Sequence, residues 1–124
     1  MNGGEKVLVV DDDEDVRATI RQLLETLGYA PIEAADGDAA IALLKEERPD
    51  VVILDYAMPG MDGAELARRA KDIHPGIPVI FASGFAEERA IKKAVGPDVP
   101  LLHKPFQLAE MAELIEQRLK HPAR

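Results

Sequence analysis

Two apolar runs of this sequence end in acidic residues that are able to do chemistry. The run at 7–10 is followed by Asp11 and Asp12, and the run at 51–54 is followed by Asp55. Short continuous apolar runs rich in β-branched side chains are typical of strands buried on both faces. Because the carboxyl ends of parallel strands meet at one edge of a sheet, we expect the three carboxylates to lie close together.

Two later apolar runs end in a hydroxyl and an ammonium group. Ser83 follows the run at 79–82, and Lys104 follows the run at 101–103. As the fourth and fifth strands of the same sheet, these runs would bring both side chains to the rim of the acidic pocket. The sequence therefore predicts a polar site assembled from four strand ends.

The apolar runs alternate with segments of helical periodicity, and these elements must position the site. Strands are predicted at 7–10, 29–35, 51–55, 79–82 and 101–103, with a helix after each. This alternation predicts one parallel sheet with helices on both faces, which is an α/β, doubly wound (βα)5 fold. Pro31 indicates that the second strand lies at an edge.

Several acidic residues have a simpler interpretation. Asp13, Glu14 and Asp15 stand where the first helix begins, and acidic side chains suit the positive end of a helix dipole. Asp62 is expected to cap the third helix. We therefore assign these residues to helix starts rather than to the site. The three histidines are scattered without the spacing of metal ligands and receive no role.

Composition and charge exclude several classes of protein. The 124 residues predict a single domain, and the lack of cysteine excludes disulfides and thiolate metal sites. A formal net charge of −8 argues against direct nucleic-acid binding. No apolar run approaches the roughly 20 residues of a membrane span, and the N-terminus lacks a signal-peptide pattern. We therefore expect a cytoplasmic protein that does not act on membranes.

A cluster of three carboxylates requires a counter-charge. Two carboxylates about 5 Å apart repel by roughly 3 kcal/mol at an effective dielectric constant of about 20. Hard oxygen ligands without histidine or cysteine favour Mg²⁺, which retains waters and bridges to phosphate oxygens. A metal held by Asp12 and Asp55 would place a phosphoryl group beside Asp55.

Phosphoryl transfer to Asp55 uses all of these groups. Asp55, at the centre, is the predicted nucleophile and would form an acyl phosphate. Lys104 would neutralise a second phosphoryl oxygen, and Ser83 would donate a hydrogen bond to a third.

With these residues placed, the sequence resembles the receiver domain of bacterial response regulators. The matching stretches are Val-Val-Asp-Asp at 9–12, the run from Leu54 through Asp55 to Gly63, Ala-Ser-Gly at 82–84 and Lys-Pro-Phe at 104–106. The resemblance implies the flavodoxin-like strand order 2-1-3-4-5. It also implies a receiver domain at 6–120, preceded by a flexible lead-in at 1–5 and followed by a tail at 121–124.

The resemblance assigns metal ligands and switch residues. It implies that Asp12 and Asp55 bind Mg²⁺ directly, that Asp11 binds it through water, and that the backbone carbonyl of Ala57 completes the protein ligands. Ser83 resembles the hydroxyl that moves toward the phosphoryl group, and Lys104 resembles the essential lysine of the family, whose bond to the following proline is usually cis. Leu101 departs from the pattern, because many receivers have an aromatic switch residue there.

The resemblance also implies partners and an output. Asp55 would take its phosphoryl group from a phosphohistidine on a histidine kinase or a histidine phosphotransfer protein. The change would pass to the face formed by the fourth helix, fifth strand and fifth helix, which would contact a downstream effector or a second copy of the chain. Such a module signals and is not an enzyme.

Two other functions remain open. Phosphatases of the haloacid dehalogenase type also use an aspartate after a strand, but they need a second acid two positions later, where this chain has Ala57. A receiver-like interaction module that never accepts phosphate is the other possibility. It would be expected to lack one of the acidic residues or Lys104, and this chain retains them all.

Overall fold

The computed structural model describes residues 4–56 and 62–120, and these residues form a five-stranded parallel sheet. The strands are β1 (Lys6–Val10), β2 (Ala30–Ala34), β3 (Val51–Asp55), β4 (Val79–Ser83) and β5 (Leu101–His103). Their order across the sheet is β2-β1-β3-β4-β5, with every neighbouring pair parallel. The expected strand order is confirmed, and β2, which contains Pro31, lies at an edge.

Helices follow each strand and cover both faces of the sheet. They are α1 (Glu14–Thr26), α2 (Gly37–Glu47), α3 (Gly63–Ile73), α4 (Phe85–Val95) and α5 (Leu108–Lys120). Buried residues of α2, α3 and α4 form one apolar cluster with the sheet, and those of α1 and α5 form a second. The doubly wound α/β prediction is confirmed. None of the helices in the described residues has the length and apolar character that crossing a bilayer requires.

The central strand β3 is fixed from both sides. Val52 and Leu54 belong to the cluster under α2, α3 and α4, whereas Val51 and Ile53 belong to the cluster under α1 and α5. Burying each such side chain contributes about 1.5–3 kcal/mol. Because both faces of β3 are packed in this way, its last residue, Asp55, is carried by a rigid element.

The strand bounds differ from the predicted ones by one residue at several ends. The second strand spans 30–34 rather than 29–35, and β4 continues through Ser83 rather than ending at Ala82. Ser83 pairs with His103 in the register of β4 and β5, so the neighbouring strand extends β4 past its apolar run.

Aspartate side chains begin three of the helices, as the sequence indicates for two of them. Asp13 Oδ1 accepts hydrogen bonds from the backbone N–H groups of Asp15 and Val16 at the start of α1. Asp36 and Asp62 cap α2 and α3 in the same way. These side chains satisfy N–H groups that have no partner within the helix, so their structural interpretation is confirmed.

Gly63 lies where two backbone segments approach closely. Its N–H donates to the carbonyl oxygen of Tyr56 at 3.0 Å. A Cβ atom at position 63 would lie 2.8 Å from the Cα atom of Tyr56 and 3.0 Å from the ring of Phe81. The contact is too short for any side chain, so glycine here fixes the start of α3 against the residue that follows Asp55.

We expect Gly63→Ser to lower the free energy of unfolding by about 1–3 kcal/mol, because the added Cβ displaces backbone rather than a flexible side chain. Gly84→Ser is the matched control, since a Cβ at Gly84 meets nothing within 4 Å and serine is a favoured N-cap residue, the position that Gly84 has before α4. Urea denaturation of both variants measures the difference. Equal stabilities would contradict the close approach.

Candidate metal and phosphoryl site

Three carboxylates converge at the carboxyl edge of the sheet. Val10 pairs with Leu54 in the register of β1 and β3, so the residues that follow, Asp11 and Asp55, lie side by side. One carboxylate oxygen from each of Asp11, Asp12 and Asp55 lies within 4.8 Å of the others. Asp11 and Asp55 are buried and Asp12 is exposed. The cluster is therefore open to solvent on the side of Asp12.

Asp11 is held by its neighbours and leaves one oxygen without a partner. Its N–H donates to the carbonyl oxygen of Ala34 at 3.2 Å, and its Oδ1 accepts from the N–H of Asp13 at 2.9 Å. Its Oδ2 is buried and has no hydrogen-bond partner among the described residues. Burial raises the pKa of Asp11, an effect partly offset by the Asp13 N–H group and by the positive charge of Lys104.

Lys104 supplies positive charge to this edge. It directly follows β5, and its Nζ lies 3.8 Å from Oδ1 of Asp55. That separation is longer than a hydrogen bond, so the contact is an electrostatic one between a half-buried ammonium and a buried carboxylate. The bond from Lys104 to Pro105 is cis, as the resemblance implies.

Ser83 lies at the end of the neighbouring strand. Asp55 pairs with Ala82 in the register of β3 and β4, so Ser83 is one residue beyond the partner of Asp55. Its side chain is fully buried, and its Oγ has no hydrogen-bond partner among the described residues. Its carbonyl oxygen accepts a hydrogen bond from the N–H of Lys104 at 3.0 Å, which ties the ends of β4 and β5 together. Ala57, whose carbonyl is an expected ligand, lies outside the described residues.

A second polar cluster lies beside Lys104, and the sequence gives no sign of it. The His103 Nδ1 lies 3.1 Å from Oε2 of Glu110 on α5, and its Nε2 lies 3.6 Å from Oε2 of Glu88 on α4. The ring of Phe85, which is 81% exposed, stacks on the imidazole. His103, to which the sequence assigns no role, thus contacts both α4 and α5 from the end of β5. Contacts of this kind leave no periodic pattern in the sequence.

The geometry fits a hard divalent cation. The cluster offers carboxylate oxygens alone, which suits Mg²⁺ better than a softer metal. The buried Oδ2 of Asp11 is an acceptor that needs a partner, since leaving a buried polar group unsatisfied costs about 1–3 kcal/mol. The edge therefore combines oxygen ligands for a cation, a carboxylate on a rigid strand and a neighbouring ammonium group.

Comparison with known proteins places this chain in a family. The sequence pattern of the response regulator receiver domain matches residues 7–116. The chain belongs to this family. It is similar to the receiver protein CpdR of Brucella abortus, with 36% identity over 115 residues that cover 92% of this chain and 96% of that protein. It is also 36% identical to sporulation initiation phosphotransferase F of Bacillus subtilis, with 93% and 94% covered.

Solved receiver domains have the same fold. A receiver domain protein from Clostridium thermocellum gives a TM-score of 0.86 at 27% identity, with 94% of each chain covered. The receiver domain of NtrX from Brucella abortus gives 0.85 at 30% identity, with 93% of this chain and 98% of that chain covered. Receiver domains also occur within larger proteins, and this chain matches 13% of the length of sensor kinase CckA from Brucella abortus at 36% identity.

Membership of the receiver family argues against one of the two alternative functions, the phosphatase. Receiver domains are signalling modules of two-component systems, phosphorylated by histidine kinases or phosphotransfer proteins, and they bind Mg²⁺ through an acidic cluster. The cluster of Asp11, Asp12 and Asp55 fits both properties. The haloacid dehalogenase-type phosphatase is therefore not supported.

In this receiver, Leu101 is buried in the cluster under α2, α3 and α4, in the place where many receivers carry an aromatic ring.

We expect Asp11→Asn to raise the free energy of unfolding of the metal-free receiver at pH 7 by about 1 kcal/mol, the usual size of one stabilising substitution. The folded-state pKa of Asp11 is raised, so the folded protein binds the proton more tightly than the unfolded chain does. The carboxylate therefore costs stability above that pKa, and the cost disappears as the pH falls to the ordinary value of 3.8.

Urea denaturation in EDTA, at pH 7 and at successively lower pH, measures this difference. The stability advantage of the asparagine variant should shrink on acidification. Adding MgCl₂ should stabilise the wild-type protein more than the variant, since only the intact cluster gains a bound cation. An asparagine variant that is less stable than the wild type at pH 7 in EDTA would contradict the assignment of Asp11 as a buried carboxylate whose charge costs stability.

Proposed function

We propose that this receiver domain, spanning residues 6–120, acts in the cytoplasm and accepts a phosphoryl group on Asp55 from a phosphohistidine of a histidine kinase or histidine phosphotransfer protein. The observation that carries the proposal is the convergence of three carboxylates within 4.8 Å beside the Lys104 ammonium. The Asp55 oxygen forms a new bond to phosphorus while the bond from phosphorus to the histidine nitrogen breaks. The product is an acyl phosphate, and the histidine leaves without its phosphoryl group.

Asp11, Asp12, Asp55 and the backbone carbonyl of Ala57 are the proposed ligands of Mg²⁺. When bound, the cation neutralises the negative charge that the phosphoryl group brings to an already acidic edge. Two observations support Mg²⁺ at this position: the cluster of carboxylate oxygens from Asp11, Asp12 and Asp55, and the buried Oδ2 of Asp11, which has no hydrogen-bond partner among the described residues.

The chain's own residues hold the transferred group in place. Asp55 ends a strand that is packed on both faces, so its backbone is held in place before the donor arrives. Lys104 Nζ, 3.8 Å from Asp55, is placed to neutralise a phosphoryl oxygen. The buried Ser83 hydroxyl, which lacks a hydrogen-bond partner among the described residues, would donate to another.

The output passes to the face formed by α4, β5 and α5. Ser83 and Lys104 are joined by a backbone hydrogen bond, so attraction of both side chains to phosphate acts on the ends of β4 and β5 together. His103, which precedes Lys104, contacts Glu88 on α4 and Glu110 on α5. A downstream effector or a second copy of the chain is the proposed recipient of the change.

Incubation with acetyl phosphate and MgCl₂, followed by mass measurement of the intact protein, tests the proposed function. We expect a gain of one phosphoryl group in the wild type and in Asp38→Asn, a control at an exposed aspartate of α2. The gain should vanish in Asp55→Asn and in EDTA. An unchanged mass with acetyl phosphate and with phosphohistidine donors would favour the receiver-like interaction module instead.

We expect Lys104→Met to slow phosphoryl uptake by about 100-fold or more, because one charged donor to the transferred group is lost. Lys120→Met is the matched control, since that lysine is exposed and pairs with Glu116 on α5. The rate of mass gain under identical donor and Mg²⁺ concentrations measures both. Equal rates for the two variants would remove Lys104 from the proposed reaction.

A further inference from the structure

Arg17 contacts the backbone of one proposed metal ligand. Its Nη1 donates a hydrogen bond to the carbonyl oxygen of Asp11 at 2.8 Å. Arg17 lies in the second turn of α1, and its side chain is 15% exposed. Hydrogen bonds from a charged donor are stronger than those between neutral groups. The contact joins α1 to the turn that carries Asp11 and Asp12, and phosphoryl chemistry does not require it directly.

Glu33 holds the guanidinium from the sheet. Its Oε1 lies 3.4 Å from Nε of Arg17, and its Oε2 accepts a hydrogen bond from Nη1 of Arg21 at 3.0 Å. Glu33 belongs to β2 and pairs with Val9 in the register of β1 and β2. The shortest bond of Arg17 goes to the Asp11 carbonyl rather than to Glu33. The Glu33 carboxylate thus orients Arg17 through its Nε atom, and Arg17 in turn holds the carbonyl group of Asp11 through its Nη1 atom.

The Arg17 bond completes the attachment of Asp11. The N–H group of Asp11 is bonded to Ala34, and its Oδ1 is bonded to the N–H of Asp13. With the carbonyl oxygen bonded to Arg17, Oδ2 is the one buried polar atom of Asp11 that has no partner in the described ranges. These three bonds fix where Oδ2 lies relative to Asp12 and Asp55.

We propose that Arg17, oriented by Glu33, is a positioning residue for the cation site and sets its affinity for Mg²⁺ by holding the backbone of Asp11. This inference rests on the proposed function, because it takes the acidic cluster to be the metal site. A purely electrostatic role would act in the opposite direction. Removing a positive charge near a cation site strengthens cation binding, whereas loss of positioning weakens it.

The test compares Arg17→Met with Arg21→Met. Both arginines lie on α1, both contact Glu33, and each substitution removes one positive charge, but Arg17 alone of the two bonds to the Asp11 carbonyl. The probe is MgCl₂ titrated into ¹⁵N-labelled protein, followed by amide chemical shifts, with no phosphoryl donor present. We expect Arg17→Met to weaken Mg²⁺ binding about tenfold and Arg21→Met to leave it within about twofold.

Arg17→Lys distinguishes loss of the guanidinium hydrogen bonds from loss of positive charge. It also provides a milder substitution in case Arg17→Met does not fold. It keeps the positive charge and most of the apolar stem but lacks the fork that reaches Glu33 and Asp11 together, so we expect an intermediate loss of about threefold. Urea denaturation of each variant shows whether the affinity follows stability. A loss of Mg²⁺ affinity in Arg17→Met that exceeds the loss in Arg21→Met at similar stability supports the proposal.

Three results overturn the inference. Wild-type affinity in both Arg17 variants would remove the positioning role and leave the proposed function intact. Equal weakening in Arg17→Met and Arg21→Met would assign the effect to the Glu33 ion pairs rather than to the Asp11 carbonyl. A wild-type protein whose shifts do not respond to MgCl₂ would overturn the metal site itself, and the inference with it.

Discussion

Mutual repulsion among three carboxylates at one edge of the sheet is the constraint on which the site depends. The fold imposes it, because the register of β1 and β3 sets Asp11 beside Asp55 and burial denies both groups the solvation they have in water. A folded chain tolerates such a cluster only if something offsets its charge. Lys104 offsets part of it from the end of β5, and a divalent cation with oxygen preference would offset much of the rest.

One side of this edge is buried within the fold, and the other is accessible to solvent. The buried side consists of Asp11 and Asp55, and Asp55 ends a strand that is packed on both faces. The exposed side consists of Asp12 and of Lys104, which is half-buried. In the proposed reaction, a phosphoryl group arriving from solvent therefore meets the exposed Asp12 and the half-buried Lys104 first and the buried Asp55 behind them. This order suits a group that must be captured and then bonded at one position.

Much of this arrangement is predictable from the sequence, and the exceptions have physical causes. Apolar runs reveal the strands, because a strand that is buried on both faces needs a continuous run of apolar residues. The residues that follow these runs must then lie at the same edge of the parallel sheet. The apolar pattern does not predict the extension of β4 to Ser83, because that extension depends on pairing with β5 rather than on local composition. The bond from Arg17 to the Asp11 carbonyl leaves no pattern, since a backbone acceptor is available at every residue.

His103 holds two helices through opposite sides of a single ring. One nitrogen faces a carboxylate of α5, and the other faces a carboxylate of α4. A partner that pulls either helix away from β5 would break contact with the same imidazole that the other helix uses. The two helices thus share one imidazole at their common border, and a displacement of either helix changes the surroundings of the same ring.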